Sequence, residues 1–111
     1  MSLNFRIAVN ETLENVISLI NRKYILYKHT KKTYTMFGNM IEIYSNEDYD
    51  EILSSDYEDG FLYYQTYMDF YPADEVVIDS QIELARDIKL LFNNFGWKSE
   101  IIAEFEDKIN I

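Results

Sequence analysis

Leu3, Phe5, Ile7 and Val9 alternate with Asn4, Arg6, Ala8 and Asn10, a period of two that predicts a half-buried strand over residues 3–9. The period then changes. Leu13, Val16, Ile17, Ile20 and Tyr24 recur at helical spacing, which predicts a helix over residues 11–23. Asn10 is its expected N-cap, Glu11 and Glu14 suit the positive end of the helix dipole, and Arg22 and Lys23 suit the negative end.

Residues 34–44, YTMFGNMIEIY, read as a hairpin in which Gly38 and Asn39 supply the positive φ angles of a two-residue turn. Counting outward pairs Phe37 with Met40, Met36 with Ile41, Thr35 with Glu42 and Tyr34 with Ile43, so that Tyr34, Met36, Ile41 and Ile43 share the apolar face. In the acidic stretch that follows, Asn46 is the expected cap of a short helix burying Tyr49, Ile52 and Leu53, and Gly60 closes the loop.

The next segment, FLYYQTYMDFYP, is read as a strand over residues 61–71, ended by Pro72. Its more apolar parity, Leu62, Tyr64, Met68 and Phe70, is assigned to the core, which leaves Phe61, Tyr63, Tyr67 and Tyr71 on the opposite face. Tyrosine sits well on either kind of surface, so the reverse parity is the competing assignment. Ser80 and Glu83 have capping-box spacing, and Ile82, Ala85, Ile88, Leu91, Phe92 and Phe95 form a stripe before Gly96, predicting a helix over residues 80–95 with Gly96 at C′. A last strand is expected over residues 99–106, where Ile101, Ala103 and Phe105 alternate with Glu100, Ile102, Glu104 and Glu106.

The order βα, ββ, short helix, βαβ suits an α+β two-layer sandwich of ferredoxin-like type, with two helices on one face of a mainly antiparallel sheet of about five strands. A chain of 111 residues, 48% of them apolar, is expected to form one compact domain over residues 1–111. There is no cysteine, which excludes disulfides, thiolate metal sites and cysteine nucleophiles and fits a cytoplasmic protein. Residues 1–10 have no secretory pattern, and no apolar run approaches the roughly 20 residues of a membrane span.

Net charge is −10, unevenly spread: six Lys/Arg and two Glu occupy residues 1–32, whereas thirteen Asp/Glu and no basic residue occupy residues 33–85. Such a field repels nucleic acid and anionic lipid and favours a basic protein partner. His29 lies among lysines with no carboxylate close in sequence, so its ordinary reading is a solvated loop histidine; the basic run from Arg22 to Lys32 lacks the glycine-rich loop of a phosphate site. Asn46, Asp48 and Asp50 have the opening spacing of a calcium loop. Glu51 stands where the turn glycine is required, however, and Tyr57 where the bidentate Glu belongs. Carboxylate pairs such as Asp69 with Glu42 or Glu104 occur in any acidic protein, and Trp97 after Gly96 reads as a cap over the core. No catalytic residue, metal site or cofactor is assigned.

An aromatic sheet face invites comparison with RNA-recognition domains, but the RNP pattern and a basic surround are both missing. Tyrosine interleaved with acid is instead the composition of a protein-binding surface. The expected site is a ladder of Tyr63, Tyr67 and Tyr71, flanked by the carboxylates Glu42, Asp69 and Glu104 and by Tyr44, and extended by Asp48 and Asp50 of the acidic loop. In composition the chain is similar to bacterial immunity proteins and inhibitors that cover basic toxin or nuclease sites. That likeness implies a non-enzymatic interaction domain for a basic partner. The alternatives are a ligand-binding regulatory domain acting as a homodimer, or a small enzyme.

Overall fold

The computed structural model describes residues 1–56 and 58–110. Among the described residues, six strands form an antiparallel sheet in the order β2-β3-β4-β5-β1-β6: β1 (Phe5–Val9), β2 (Tyr27–Lys28), β3 (Thr33–Met36), β4 (Asn39–Ser45), β5 (Thr66–Pro72) and β6 (Ser99–Ala103). Two helices, α1 (Leu13–Lys23) and α2 (Ile78–Asn94), pack on it, α1 against β4 and α2 against β1 and β6. Because every neighbouring pair is antiparallel, β1 runs parallel to β4 with β5 between them, and β5 runs parallel to β6 with β1 between them.

Residues paired across antiparallel strands share a face, so the register defines the core. Phe5, Ile7 and Val9 line up with Phe70, Met68 and Thr66 on one side, and with Ala103, Ile101 and Ser99 on the other. Ile41, Ile43, Tyr34 and Met36 extend the same face, and Val16, Ile20, Leu84, Ile88 and Phe92 close over it from the helices. Phe5 stacks on Phe70 at 4.2 Å between ring centres, with Phe105 edge-on at 5.8 Å.

The α1 cap is Thr12, whose hydroxyl accepts from the Asn15 N–H; Asn10, the expected cap, instead donates its N–H to the Lys98 carbonyl. α2 begins at Ile78 after Val77, so Ser80 and Glu83 lie inside the helix rather than forming a capping box. Its other end follows the sequence reading. Gly96, at φ +72°, donates to the Asn93 carbonyl and Trp97 to that of Phe92, the paired bonds of a Schellman motif, and the Trp97 ring stacks on Phe92 at 5.6 Å.

The hairpin turns on Phe37 and Gly38, not Gly38 and Asn39, with φ values of +48° and +73°. Tyr34 consequently faces Ile41 and Met36 faces Asn39. The slip is two residues, which preserves the faces, and its cause is Asn39: a fully buried side chain exchanging two hydrogen bonds with Gln81 of α2, at 3.0 and 2.9 Å. Gln81 also donates to the Leu3 carbonyl. The amide pair thus ties helix, hairpin and amino-terminal segment together.

The acidic segment does not form the expected helix. Leu53–Ser55 and Gly60–Tyr63 are single 3-10 turns, with Tyr49 and Leu53 about half exposed and Ile52 84% exposed. Asn46 explains the difference, because its amide donates to the Leu62 and Tyr64 carbonyls and pins the loop by its far end. Gly60 permits the two turns to touch, since a Cβ there would lie 2.5 Å from the Ser54 carbonyl oxygen. β5 therefore starts at Thr66, and Leu62 and Tyr64 leave the core face to which the sequence assigned them; Met68 and Phe70 keep it. The last strand ends at Ala103, and Phe105 is buried from the turn that follows.

Candidate functional site

The helices cover one face of the sheet and leave the other open. Register aligns that open face in three rows: Tyr27, Thr35, Met40 and Tyr71; then Thr33, Glu42, Asp69, Arg6 and Ile102; then Tyr44, Tyr67, Ala8 and Glu100. Of the expected ladder, Tyr67 and Tyr71 are present. Tyr63 lies in the Gly60–Tyr63 turn and has no place on it, because the two-residue alternation starts only at Thr66.

Arg6 organises the centre of the face. Its Nε and Nη2 donate to the two oxygens of Asp69 at 2.6 and 3.1 Å, a bidentate pair, and Nη2 also donates to the Tyr44 hydroxyl at 3.1 Å. The Tyr44 hydroxyl donates in turn to Asp69 at 2.6 Å. The guanidinium carbon sits 4.2 Å from the centre of the Tyr67 ring, and Tyr44 meets Tyr67 edge-on at 6.0 Å. Tyr67 donates to the Leu62 carbonyl, linking the network to the acidic loop.

The Asp69 hydrogen bonds hold the Arg6 pKa above its usual value, against the opposing effect of burial. Burial first, then the hydrogen bond and charge of Asp69, raises the Tyr44 pKa. Tyr67 and Tyr71 are also raised, each chiefly by burial; the Asp48 carboxylate adds to the effect at Tyr67, and Asp69 and Glu42 add to it at Tyr71. All three phenols are neutral donors at physiological pH. The expectation of an unrelieved negative face is corrected at its middle, where Asp69 is neutralised by Arg6 and Glu42 lies 3.7 Å from Lys32. Negative charge remains at the margin, in Glu100 and the acidic loop.

Asp48 and Asp50 belong to that loop. Asp48 donates its N–H to the Asn46 side chain, and Asp50 Oδ1 accepts from the Ile52 and Leu53 N–H groups, capping the first turn. Tyr57, the twelfth residue in the calcium-loop comparison, lies outside the described residues. Among the described residues no cluster of three His, Asp or Glu side chains is placed to hold a metal ion, and no helix is long and apolar enough to cross a membrane. Glu104 lies beyond the end of β6, where it accepts from the Ser2 N–H outside the network. His29 is exposed, its ring beside the Thr35 hydroxyl.

Arg6 is the residue the sequence reading missed. Its outward parity is visible in the alternation of residues 3–9, but its partner Asp69 is set by strand order. Comparison with protein-family models, with curated proteins and with solved structures found no match for this chain.

Proposed function

We propose that this chain is a protein-interaction domain that docks a basic protein partner on its open sheet face, with the acidic loop as one rim. The observation that supports this reading is the Arg6–Asp69–Tyr44–Tyr67 network on the sheet face opposite α1 and α2. Interface cores are enriched in Tyr, Arg and Met, and here Tyr44, Tyr67, Tyr71, Arg6 and Met40 share one surface. Arg6 and Tyr44 are bonded to each other and to Asp69, and Tyr67 to the Leu62 carbonyl, so contact at these three side chains costs little ordering entropy. The eleven acids of residues 33–85 other than Asp69 and Glu42 supply steering for a basic surface and repulsion for nucleic acid.

The same reading covers three finer points. The order β4-β5-β1-β6 with α1 and α2 supports a reading as two interlocked split βαβ units of ferredoxin-like type, extended at one edge by β3 and β2. A cysteine-free chain is suited to a cytoplasmic setting. The composition supports an inhibitor- or immunity-like role, in which the acidic rim covers a cationic site on the partner.

The test is affinity capture followed by titration of the captured protein in purified form. The reading expects a basic partner, an association rate that falls as ionic strength rises, and a loss of about 2 kcal/mol or more for Tyr67→Ala with the melting temperature largely kept. A salt-independent rate, or a Tyr67→Ala chain that binds as tightly as the parent, would overturn it. A wild-type chain that buries this face in a stable homodimer would replace the partner with a second copy.

A further inference from the structure

A cavity lies away from the open sheet face, beside α1 and α2. It has a volume of about 450 Å³ and lies between the end of α1, the β3–β4 turn, the β5–α2 connection and the first turns of α2. That size is within the range of small-molecule sites. Tyr24, Phe37, Val76, Val77 and Leu84 give it apolar walls, with Leu84 buried at the base. Ser80, Glu83, Leu84 and Asp87 recur at helical spacing, so one stripe of α2 faces the space.

We propose that this cleft binds a small organic amine: a protonated ammonium attached to an aromatic or aliphatic body. Its lining carries three carboxylates, Glu75, Glu83 and Asp87, and no cationic side chain. The amino end of α2 is uncapped and adds roughly half a positive charge, which three full carboxylates outweigh. Tyr24, whose ring forms part of the wall, has its hydroxyl buried with no hydrogen-bond partner among the described residues. Burial, reinforced by the Asp87 charge, raises its pKa and keeps the phenol neutral.

The aromatic wall points to the same chemistry. Phe37 and Tyr24 meet edge to face at 5.5 Å, and the Lys23 ammonium lies 5.6 Å from the Tyr24 ring centre, so this ring already attracts a cation. Phe37 is held there by its left-handed backbone and is 67% exposed, a large apolar ring with one side free. Gly38 beside it admits the β5–α2 connection, since a Cβ at that position would lie 2.8 Å from Val76 Cγ2.

The test uses three probes with one aromatic body: phenethylamine, 2-phenylethanol and 3-phenylpropanoate, each titrated into the full chain and followed by amide chemical shifts. The expected result is saturable binding of the amine with shifts at Tyr24, Gly38, Val77 and Asp87, affinity for the alcohol about tenfold weaker, and no binding of the carboxylate. Asp87→Asn and the exposed Glu83→Gln should each weaken the amine about tenfold, with the amide spectrum confirming that the fold is kept. Equal affinity for amine and alcohol, shifts centred away from the cleft, or no saturation by the amine would each overturn the proposal. None of these results bears on docking at the open sheet face, which shares no residue with this cleft.

Discussion

Exchanging Gln81 for methionine should cost about 2–5 kcal/mol, a large fraction of the stability of a domain this size. Gln81 is 1% exposed and makes three hydrogen bonds: to the Leu3 carbonyl at 3.0 Å, to Asn39 Oδ1 at 2.9 Å and from Asn39 Nδ2 at 3.0 Å. Each is worth about 1 kcal/mol net, and stranding the buried Asn39 oxygen adds roughly 1–3 kcal/mol. Burying a thioether in place of an amide returns about 1–2 kcal/mol. Asn39→Leu should cost a similar amount, because it strands the Gln81 side chain instead. The double variant removes both amides and strands neither, so its cost should fall short of the sum of the single changes by about 2 kcal/mol or more. Urea unfolding of the four proteins measures this coupling as midpoint shifts at constant slope. If the two changes add within about 0.5 kcal/mol, the amide pair does not join α2 to the hairpin as a unit, and the explanation of the two-residue slip fails with it.

Ile88→Ala empties a fully buried position on α2 and should cost about 2–5 kcal/mol by denaturant titration; near-native stability would refute the core assignment. Stability should also fall as pH rises above about 10, where the unfolded chain's tyrosines ionise while the raised pKa values of Tyr24, Tyr44 and Tyr67 keep those phenols protonated in the folded state. The sign follows from proton counting: in that window the native state holds more protons, so each further pH step favours unfolding. Tyr44→Phe should flatten this alkaline loss measurably in melts at pH 9 to 11, and an unchanged slope would count against the hydrogen bond to Asp69.

Periodicity carried much of the fold. Alternation identified β1 and its faces, the 3.6-residue stripe found α1 and α2, and Gly96 marked the end of α2 at the right residue. The failures share a cause in long-range side-chain bonds. Asn39 looks like a turn residue until Gln81 is placed opposite it, and Asn46 looks like a helix cap until Leu62 and Tyr64 return to it. Tyr63 was misplaced because an aromatic run reads as strand whether or not the backbone is coiled by a distant amide. β2, a two-residue edge strand, carries too few residues to show a period at all. Of the open face, Tyr44, Tyr67, Tyr71 and Asp69 were legible from parity, whereas Arg6 needed the register of β1 against β5.

That same register governs how the chain can come together in time. β1 is made first, yet its two neighbours are β5 and β6, the last strands to be made. Until they arrive both edges of β1 lack their sheet partners, and the loops to be closed are among the longest the chain offers, a cost incurred before the contacts repay it. During synthesis, residues 5–9 therefore wait as an apolar segment without their final neighbours, while the β3–β4 hairpin can form locally as soon as its turn has emerged. Assembly of the centre of the sheet becomes a late event, and the open face carrying Arg6 and Asp69 does not exist until β5 has paired with β1.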